Sequence, residues 1–360
     1  MKILTINVGS SSVKYALYEN KKKGCYGNID RIGVKKGLTY KKAFSLLLSH
    51  LLESSIKSLN DIDAVAHRVV HAGQIQEHIR ITSKTLKAIK DTRELAPLHD
   101  VPELKGIEIC LKRLKCPQFA LLDTAFHKPI PPKAYTYAIP DSLSNKFKIK
   151  RYGFHGLSYH YISKQVKSKK LIVCHLGNGA SIAAIRNNKS VDTSMGFTPL
   201  EGLVMGSRSG DLDPGIIMFL QHHKKMGYKD LMFLLNKKSG LKGLSGFSDM
   251  RDLMKSRTKE SKLARSIFCY RAAKYIGSYA ATMNGVDTIV FTAGIGENEH
   301  SIRKEICSYL THLGVKLDPN KNKKNNRLIS KGKVKVLVIK TDEESIMATK
   351  TMRLLRNLKS

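Results

Sequence analysis

The hydrophobic and polar positions alternate between two periods along this chain. Short β-type runs, Lys2 to Val8 (KILTINV) and Val13 to Tyr18 (VKYALY), are joined by the small-residue turn Gly9-Ser10-Ser11-Ser12. A Lys-rich polar stretch over 19–42 then reads as an exposed connection, and buried-type strands are expected at 64–70 (AVAHRVV) and 119–126 (FALLDTAF). Helix-period segments lie between them at 84–94 and 101–114. The run KPIPPKAY, 128–135, holds three prolines in eight residues, which neither a helix nor a central strand tolerates, and so marks a domain boundary. Beyond it the early pattern recurs. A strand at 171–177 (LIVCHLG), the turn Asn178-Gly179-Ala180-Ser181 and a strand at 182–188 repeat the first hairpin in type, not in identity. Helices near 215–225, 259–283 and 300–313, strands at 287–294 and 334–341, and a closing amphipathic helix with Thr341 and Glu344 in capping-box spacing complete the expectation. Strands alternating with helices in two similar halves predict an α/β protein with two related domains.

Composition narrows the class. With 360 residues, 42% hydrophobic and 26% charged, the chain can bury a sizeable core. No apolar run approaches the ~18 residues a membrane helix needs, and the first residues lack a signal-peptide pattern, so a cytoplasmic location without membrane attachment is expected. Six cysteines, at 25, 110, 116, 174, 269 and 307, form no CxxC pair and read as reduced structural thiols. The net charge of +34 suggests a nucleic-acid partner. However, lysine outnumbers arginine about three to one, the basic residues are scattered, and aromatic residues make up only 7%. That pattern fits a solvated surface better than a base reader, and no nucleic-acid partner is expected.

Three glycine turns sit at strand ends: NVGSSSVK, HLGNGAS and TAGIGEN (292–298). Glycine lets the backbone approach an anion, and turn N–H groups point at its oxygens, so the three together suggest a phosphate ligand. Lys14 follows the first turn on the same strand face as Ser12.

With these turns, ordered motifs run from end to end: INVGSSSVKY (6–15), HRVVHAG (67–73), ELAPLH (94–99), LDTAFH (122–127), YGFHG (152–156), HLGNGAS (175–181), TSMGFTPLEGLVMGSRSGDLDPG (193–215), TAGIGEN (292–298) and TDEE (341–344). The sequence resembles the acetate kinase family, the short-chain carboxylate kinases of the actin, Hsp70 and sugar-kinase superfold. The resemblance implies two duplicated ribonuclease H-like domains with an active-site cleft between them that opens and closes. The first would be 1–127 plus 344–360, and the second, nucleotide-binding, 128–343. It implies reversible, direct in-line transfer of the γ-phosphoryl group of ATP to acetate with Mg2+ or Mn2+, giving acetyl phosphate and ADP, in a homodimer. Propionate or butyrate is the alternative acceptor, since one methylene in an apolar pocket is worth only about 1 to 3 kcal/mol.

A carboxylate acceptor is already ionised at neutral pH, so the chemistry needs positive groups more than a base. The resemblance assigns Arg68 chiefly to the carboxylate, through a bidentate fork, and Arg208 to the transferring phosphoryl group. His155 is the implied transition-state-stabilising histidine. Asp123 is an implied catalytic residue that would orient Arg68 or metal-bound water, because an ionised nucleophile needs no proton acceptor. Asn7 and Glu343 match metal-associated positions, and Glu343 also suits the first turn of a helix. Val70, Leu98 and Pro199 would close around the acceptor's apolar end, with His99 beside them, and His71 and His127 read as structural. Nucleotide contacts carry over to Lys14, to His175, Leu176, Gly177, Asn178 and Gly179, to Asp249, Met250 and Arg251, and to Gly294, Ile295, Gly296, Glu297 and Asn298.

The chain departs from the family pattern in two segments, His99-Asp100-Val101-Pro102-Glu103 and Gly156-Leu157-Ser158-Tyr159. It is also shorter than typical members, mostly between the first hairpin and HRVV.

Overall fold

The computed structural model describes residues 1–9, 11–33, 37–92 and 97–358, with the backbone alone at 97–100. Within this range the chain forms two compact units. One comprises Met1–Lys128, His155–Tyr161 and Asp342–Ser360, and the other Pro129–Phe154 and Ile162–Thr341. The sequence placed 155–161 in the second domain. These residues return to the first because Gly156 N–H donates to the Asp123 carbonyl at 3.0 Å and Leu157 packs with Phe119, Leu121 and Met347.

The first unit holds β1 (Lys2–Val8), β2 (Ser12–Glu19), β3 (Lys22–Asp30), β4 (Ala64–Val69), β5 (Ile79–Arg80) and β6 (Gln118–Leu122), ordered β3-β2-β1-β4-β6-β5. β1 runs antiparallel to β2 and parallel to β4, and β4 is parallel to β6. β1 is apolar on both sides over much of its length because both its faces are covered. Leu4, Ile6 and Val8 meet Phe44, Leu47 and Leu51 of the helix Tyr40–Ser54. On the other face Ile3 meets Met347, Ala348 and Met352 of the closing helix Glu343–Asn357.

The second unit holds β7 (Lys170–Leu176), β8 (Ala180–Arg186), β9 (Lys189–Thr193), β10 (Thr288–Thr292) and β11 (Lys335–Val338), ordered β11-β10-β7-β8-β9. β7, β8 and β9 form an antiparallel meander, and β7 continues in parallel to β10 and β11. Taken from the other edge, this is the winding of the first sheet. The repeat of the opening hairpin is therefore a repeat of topology, and the fold is mixed α/β, two units of the same ribonuclease H-like winding.

Three local expectations change. The stretch 19–42 contains the edge strand β3 and the start of the helix Tyr40–Ser54. Its alternate residues lie exposed, so its polar composition belongs to the open face of an edge strand. The segment Ala293–Asn298 is helical from the end of β10, with Ala293 at φ 65°. The closing helix is capped by Asp342, whose side chain accepts from Ser345 N–H at 3.0 Å, and not by Thr341, whose N–H donates to Glu297 Oε1 at 3.1 Å.

Candidate active site

Three neighbouring parallel strands of the first unit bring the charged residues together. Arg68 stands one residue before the end of β4, Asn7 one residue before the end of β1, and Asp123 directly after β6. The register, Ile6 with His67 and Val69 with Leu122, aligns these carboxyl-terminal ends. Ligands of open α/β sheets bind at such ends. Arg68 Nε donates to Asp123 Oδ1 and Oδ2 at 3.3 and 3.2 Å, and Nη2 donates to Oδ2 at 2.7 Å. Its Nη1 lies 3.5 Å from Asn7 Oδ1 and 3.7 Å from Glu343 Oε2.

Asp123 is 1% exposed. Burial by itself would lower the Arg68 pKa, but the Asp123 and Glu343 carboxylates outweigh it and hold the guanidinium above the ordinary arginine value. Its side-on Nε/Nη2 edge is committed to Asp123, so bidentate pairing with an acceptor would use the Nη1/Nη2 end. Glu343 is also the first residue of its helix, and the two uses of that carboxylate are compatible.

His155 reaches this corner through the chain's brief return to the first unit. It adopts φ 57°, in the left-handed region, and begins the turn into the helix Gly156–Gln165. A Cβ at Gly156 would run into the Asp123 carbonyl oxygen, so glycine is required after the histidine for the helix to start this close to β6. His155 itself is partly exposed. Val70 is buried, and its N–H donates to Glu103 Oε2 at 3.0 Å. Glu103 is 2% exposed and adds to the field at Arg68. The sequence reading passed over it as a departure from the family pattern, although an acid on a helix beside the acceptor motif was the available signal. Leu98 and His99 have no described side chains, and Ser10 lies outside the described residues. His71 and His127 are buried.

The second unit carries a cavity of about 610 Å³, within the range of small-molecule sites. Gly177 and Asn178 line it from the turn between β7 and β8, Asp249, Met250 and Arg251 from the start of a helix, and Gly294, Ile295 and Asn298 from the segment after β10. Gly206, Leu241, Ser248 and Glu299 also line it. Ser248 and Glu299 adjoin assigned residues and Gly206 lies inside the long central motif, whereas Leu241 carried no signal. Arg251 Nη2 donates to Asp249 Oδ2 at 2.6 Å at the rim.

Other assigned residues stand behind the wall. Leu176 and Gly296 are buried, and His175 lies on β7 opposite Ser181. Gly179 closes its turn through its carbonyl, which accepts from Gly177 N–H at 3.1 Å. Glu297 Oε1 accepts from the N–H groups of Ala293 and Thr341, which ties β10 to the segment after β11. Lys14 belongs to the first unit, cross-strand from Asn7. Arg208 Nη1 donates to the Pro199 carbonyl at 3.0 Å and lies 3.5 Å from Met205 Sδ, and burial pushes its pKa down to about 10.

Among the described residues no group of three or more His, Cys, Asp or Glu could hold a metal. Asn7 and Glu343 instead offer two hard oxygens near Arg68 Nη1, of the kind that holds a largely hydrated divalent cation. No helix among the described residues is long and apolar enough to cross a membrane.

Comparison with known proteins adds the identity that geometry leaves open. The family model described as the acetokinase family matches residues 2–349. The acetate kinase of Thermotoga maritima is 46% identical over an alignment of 401 positions, which covers 99% of this chain and 100% of that one. The acetate kinase of Thermoanaerobacterium thermosaccharolyticum is 46% identical over 400 positions, with both chains fully covered. Among solved structures, a propionate kinase from Francisella tularensis superposes with a TM-score of 0.91 at 39% identity, covering 96% of this chain and 98% of that one. The acetate kinase of Porphyromonas gingivalis gives 0.88 at 38%, covering 98% and 99%. With a matching family model over nearly its whole length and full-length relatives at this identity, the chain belongs to the acetokinase family.

Proposed function

We propose that this protein transfers the γ-phosphoryl group of ATP to acetate, reversibly, giving acetyl phosphate and ADP. Family membership makes it an ATP-dependent phosphotransferase with a carboxyl acceptor. The observation that carries the reading of the site is the Arg68 guanidinium, locked edge-on to a buried Asp123 at the carboxyl ends of β4 and β6.

The acceptor carboxylate arrives ionised, and the barrier lies in bringing it to an anionic phosphate. In this reading the Nη1/Nη2 end of Arg68 receives the carboxylate, Val70 and Pro199 border its apolar end, and Arg208 and His155 take up charge that spreads over the phosphoryl oxygens. Asp123 holds the arginine in place and in the charged state, and it moves no proton. ATP occupies the cavity lined by Asn178, Asp249 and Gly294. Asn7 and Glu343 would hold Mg2+, or Mn2+, which when bound neutralises phosphate charge.

The working form is read as a cytoplasmic homodimer that binds neither membrane nor nucleic acid. The helix Pro214–Lys224 supports the dimer, for it buries none of its residues and leaves Ile216, Met218 and Phe219 exposed. The domain division follows the two units, with 155–161 in the first.

The test is trapping of the acyl phosphate with hydroxylamine, with ATP, Mg2+ and either acetate, propionate or butyrate. Higher kcat/KM with acetate is expected. No hydroxamate from any of the three sinks the reading, and a preference for propionate moves it to the neighbouring substrate.

A further inference from the structure

A second cavity, of about 430 Å³, opens on the second unit and is lined by none of the residues assigned to the reaction. Cys307, Val315 and Leu317 supply an apolar floor, and His300, Lys304, Lys316 and Lys323 surround it. No acidic side chain lines it among the described residues. The adjacent Asp318 accepts from the N–H groups of Asn320 and Lys321 through Oδ1 and caps their short helix.

Behind the cavity lies a buried charge. Arg303 is 0% exposed, the largest fully buried side chain among the described residues. Its Nε donates to Asn322 Oδ1 at 2.9 Å, Nη2 to the Asn322 carbonyl at 2.8 Å and to Asn325 Oδ1 at 2.5 Å, and Nη1 to the carbonyls of Gly296 and Glu297 at 2.9 and 3.0 Å. All of these acceptors are neutral. A guanidinium hydrogen-bonded to neutral oxygens, with the nearby Glu299 carboxylate only partly offsetting its burial, still favours a negative ligand in the adjoining space. Burial accordingly pushes its pKa down to about 10. Asn322, which lines the second cavity, is its direct contact.

Arg303 also braces the segment that carries part of the first cavity's lining. The carbonyls it holds belong to the segment whose Gly294, Ile295 and Asn298 line that cavity, and Glu299 of the first cavity is followed by His300 of the second. One buried side chain thus fixes the walls of both.

We propose that the second cavity is a binding site for a small amphipathic anion, a phosphoryl or carboxylate head on a short apolar chain, and that Arg303 couples its occupancy to nucleotide affinity. The cationic surround takes the head and the Cys307–Val315–Leu317 floor takes the chain. The coupling half rests on the reading of the first cavity as the nucleotide site, whereas the binding half does not.

The test uses the whole protein with ADP held saturating, so that the first cavity is filled. Binding of n-butyl phosphate, hexanoate, inorganic phosphate and butanol is followed by calorimetry. Saturable binding of n-butyl phosphate or hexanoate is expected, at least about tenfold tighter than inorganic phosphate given the worth of each buried methylene, and butanol should not bind. Which of the two amphiphiles binds tighter identifies the head.

In the double variant Lys316→Glu, Lys323→Glu, both at exposed positions outside the reaction's machinery, binding should weaken by at least about tenfold while basal turnover stays unchanged. The saturating amphiphile should shift the apparent KM for ATP in the wild type and not in the double variant. Absence of saturable binding by both amphiphiles, or unaltered binding by the double variant, overturns the site. Binding without any KM shift overturns the coupling alone. If the wild type makes no hydroxamate, the functional reading fails and the calorimetric result stands by itself.

Discussion

Two units whose sheets share one winding hold individual buried arginines in opposite ways. In the first unit Arg68 is ringed by carboxylates, with Asp123 against its Nε/Nη2 edge and Glu343 near Nη1, and its charge is held more firmly than that of a free arginine. In the second unit Arg303 rests on carbonyl and amide oxygens and Arg208 donates to the Pro199 carbonyl among its contacts, and burial lowers both to about 10, whereas Arg151 there is held by Glu201 as Arg68 is by Asp123. A compensated arginine is a fixed part of the scaffold, positioned before any ligand arrives. A buried arginine on neutral acceptors gains when a negative ligand approaches. The duplicated scaffold therefore supplies two electrostatic settings, one preorganised by the protein's own acids and one suited to the charge of phosphates.

The sharpest way to break this contrast is to remove the compensation. Asp123→Asn leaves the shape of the corner but frees the Arg68 edge, and kcat in the hydroxamate assay should fall by about 10²- to 10³-fold at saturating Mg2+. Near-normal turnover would show that Asp123 does not set the arginine. The matching Arg68→Ala should raise the KM for acetate as well as lower kcat, with the KM for ATP little changed.

A second probe uses acid. His67 on β4 is fully packed, 2.8 Å through Nε2 from Gln118 Oε1, and burial pushes its pKa down to about 4, only partly offset by that hydrogen bond. Its folded pKa lies below that of the unfolded chain. The unfolded chain therefore takes up the proton first as pH falls, and stability is lost from about pH 6.5 down through 4, roughly 3 kcal/mol from this group. Urea midpoints measured across that range should show the fall, and His67→Gln should reduce it, the remainder coming from His78, whose pKa burial pushes down to about 3.

In the second unit the contrast is tested by filling space. A Cβ at Gly206 would collide with Asn178 Oδ1 and crowd the Ser248 carbonyl at 2.7 Å, so Gly206→Ala should raise the KM for ATP by about tenfold while the KM for acetate holds. Equal changes in both constants would show that the cavity does not belong to the nucleotide alone. The smallest effect is expected at the surface. Lys23→Ala removes the 2.8 Å bridge to Glu344 and should cost less than about 1 kcal/mol in thermal denaturation, with no kinetic change.

Much of this was legible in the chain because it is written in short local patterns. The strand–turn–strand units at 2–18 and 170–186 showed through apolar runs and glycine turns. The motif histidine and its following glycine fell where the chain must pass close to Asp123. β3 was missed since an exposed edge strand has the composition of a loop. Glu103 and Arg303 were missed because a charged residue in a helix reads as surface until burial is known. The cap of the closing helix moved from Thr341 to Asp342 because Thr341 N–H is taken by Glu297, a partner 44 residues away.

The sequence by itself determined the two-part α/β architecture and the family, because these depend on periodicity, turn chemistry and motif order. Only the tertiary structure decided which donors of Arg68 are committed and that 155–161 belongs with the first sheet. It also decided which assigned residues line the first cavity and which do not, and that a buried arginine contacts the segments that form both cavities. Such facts depend on desolvation and on distances between residues far apart in the chain, and neither is a property of any local segment.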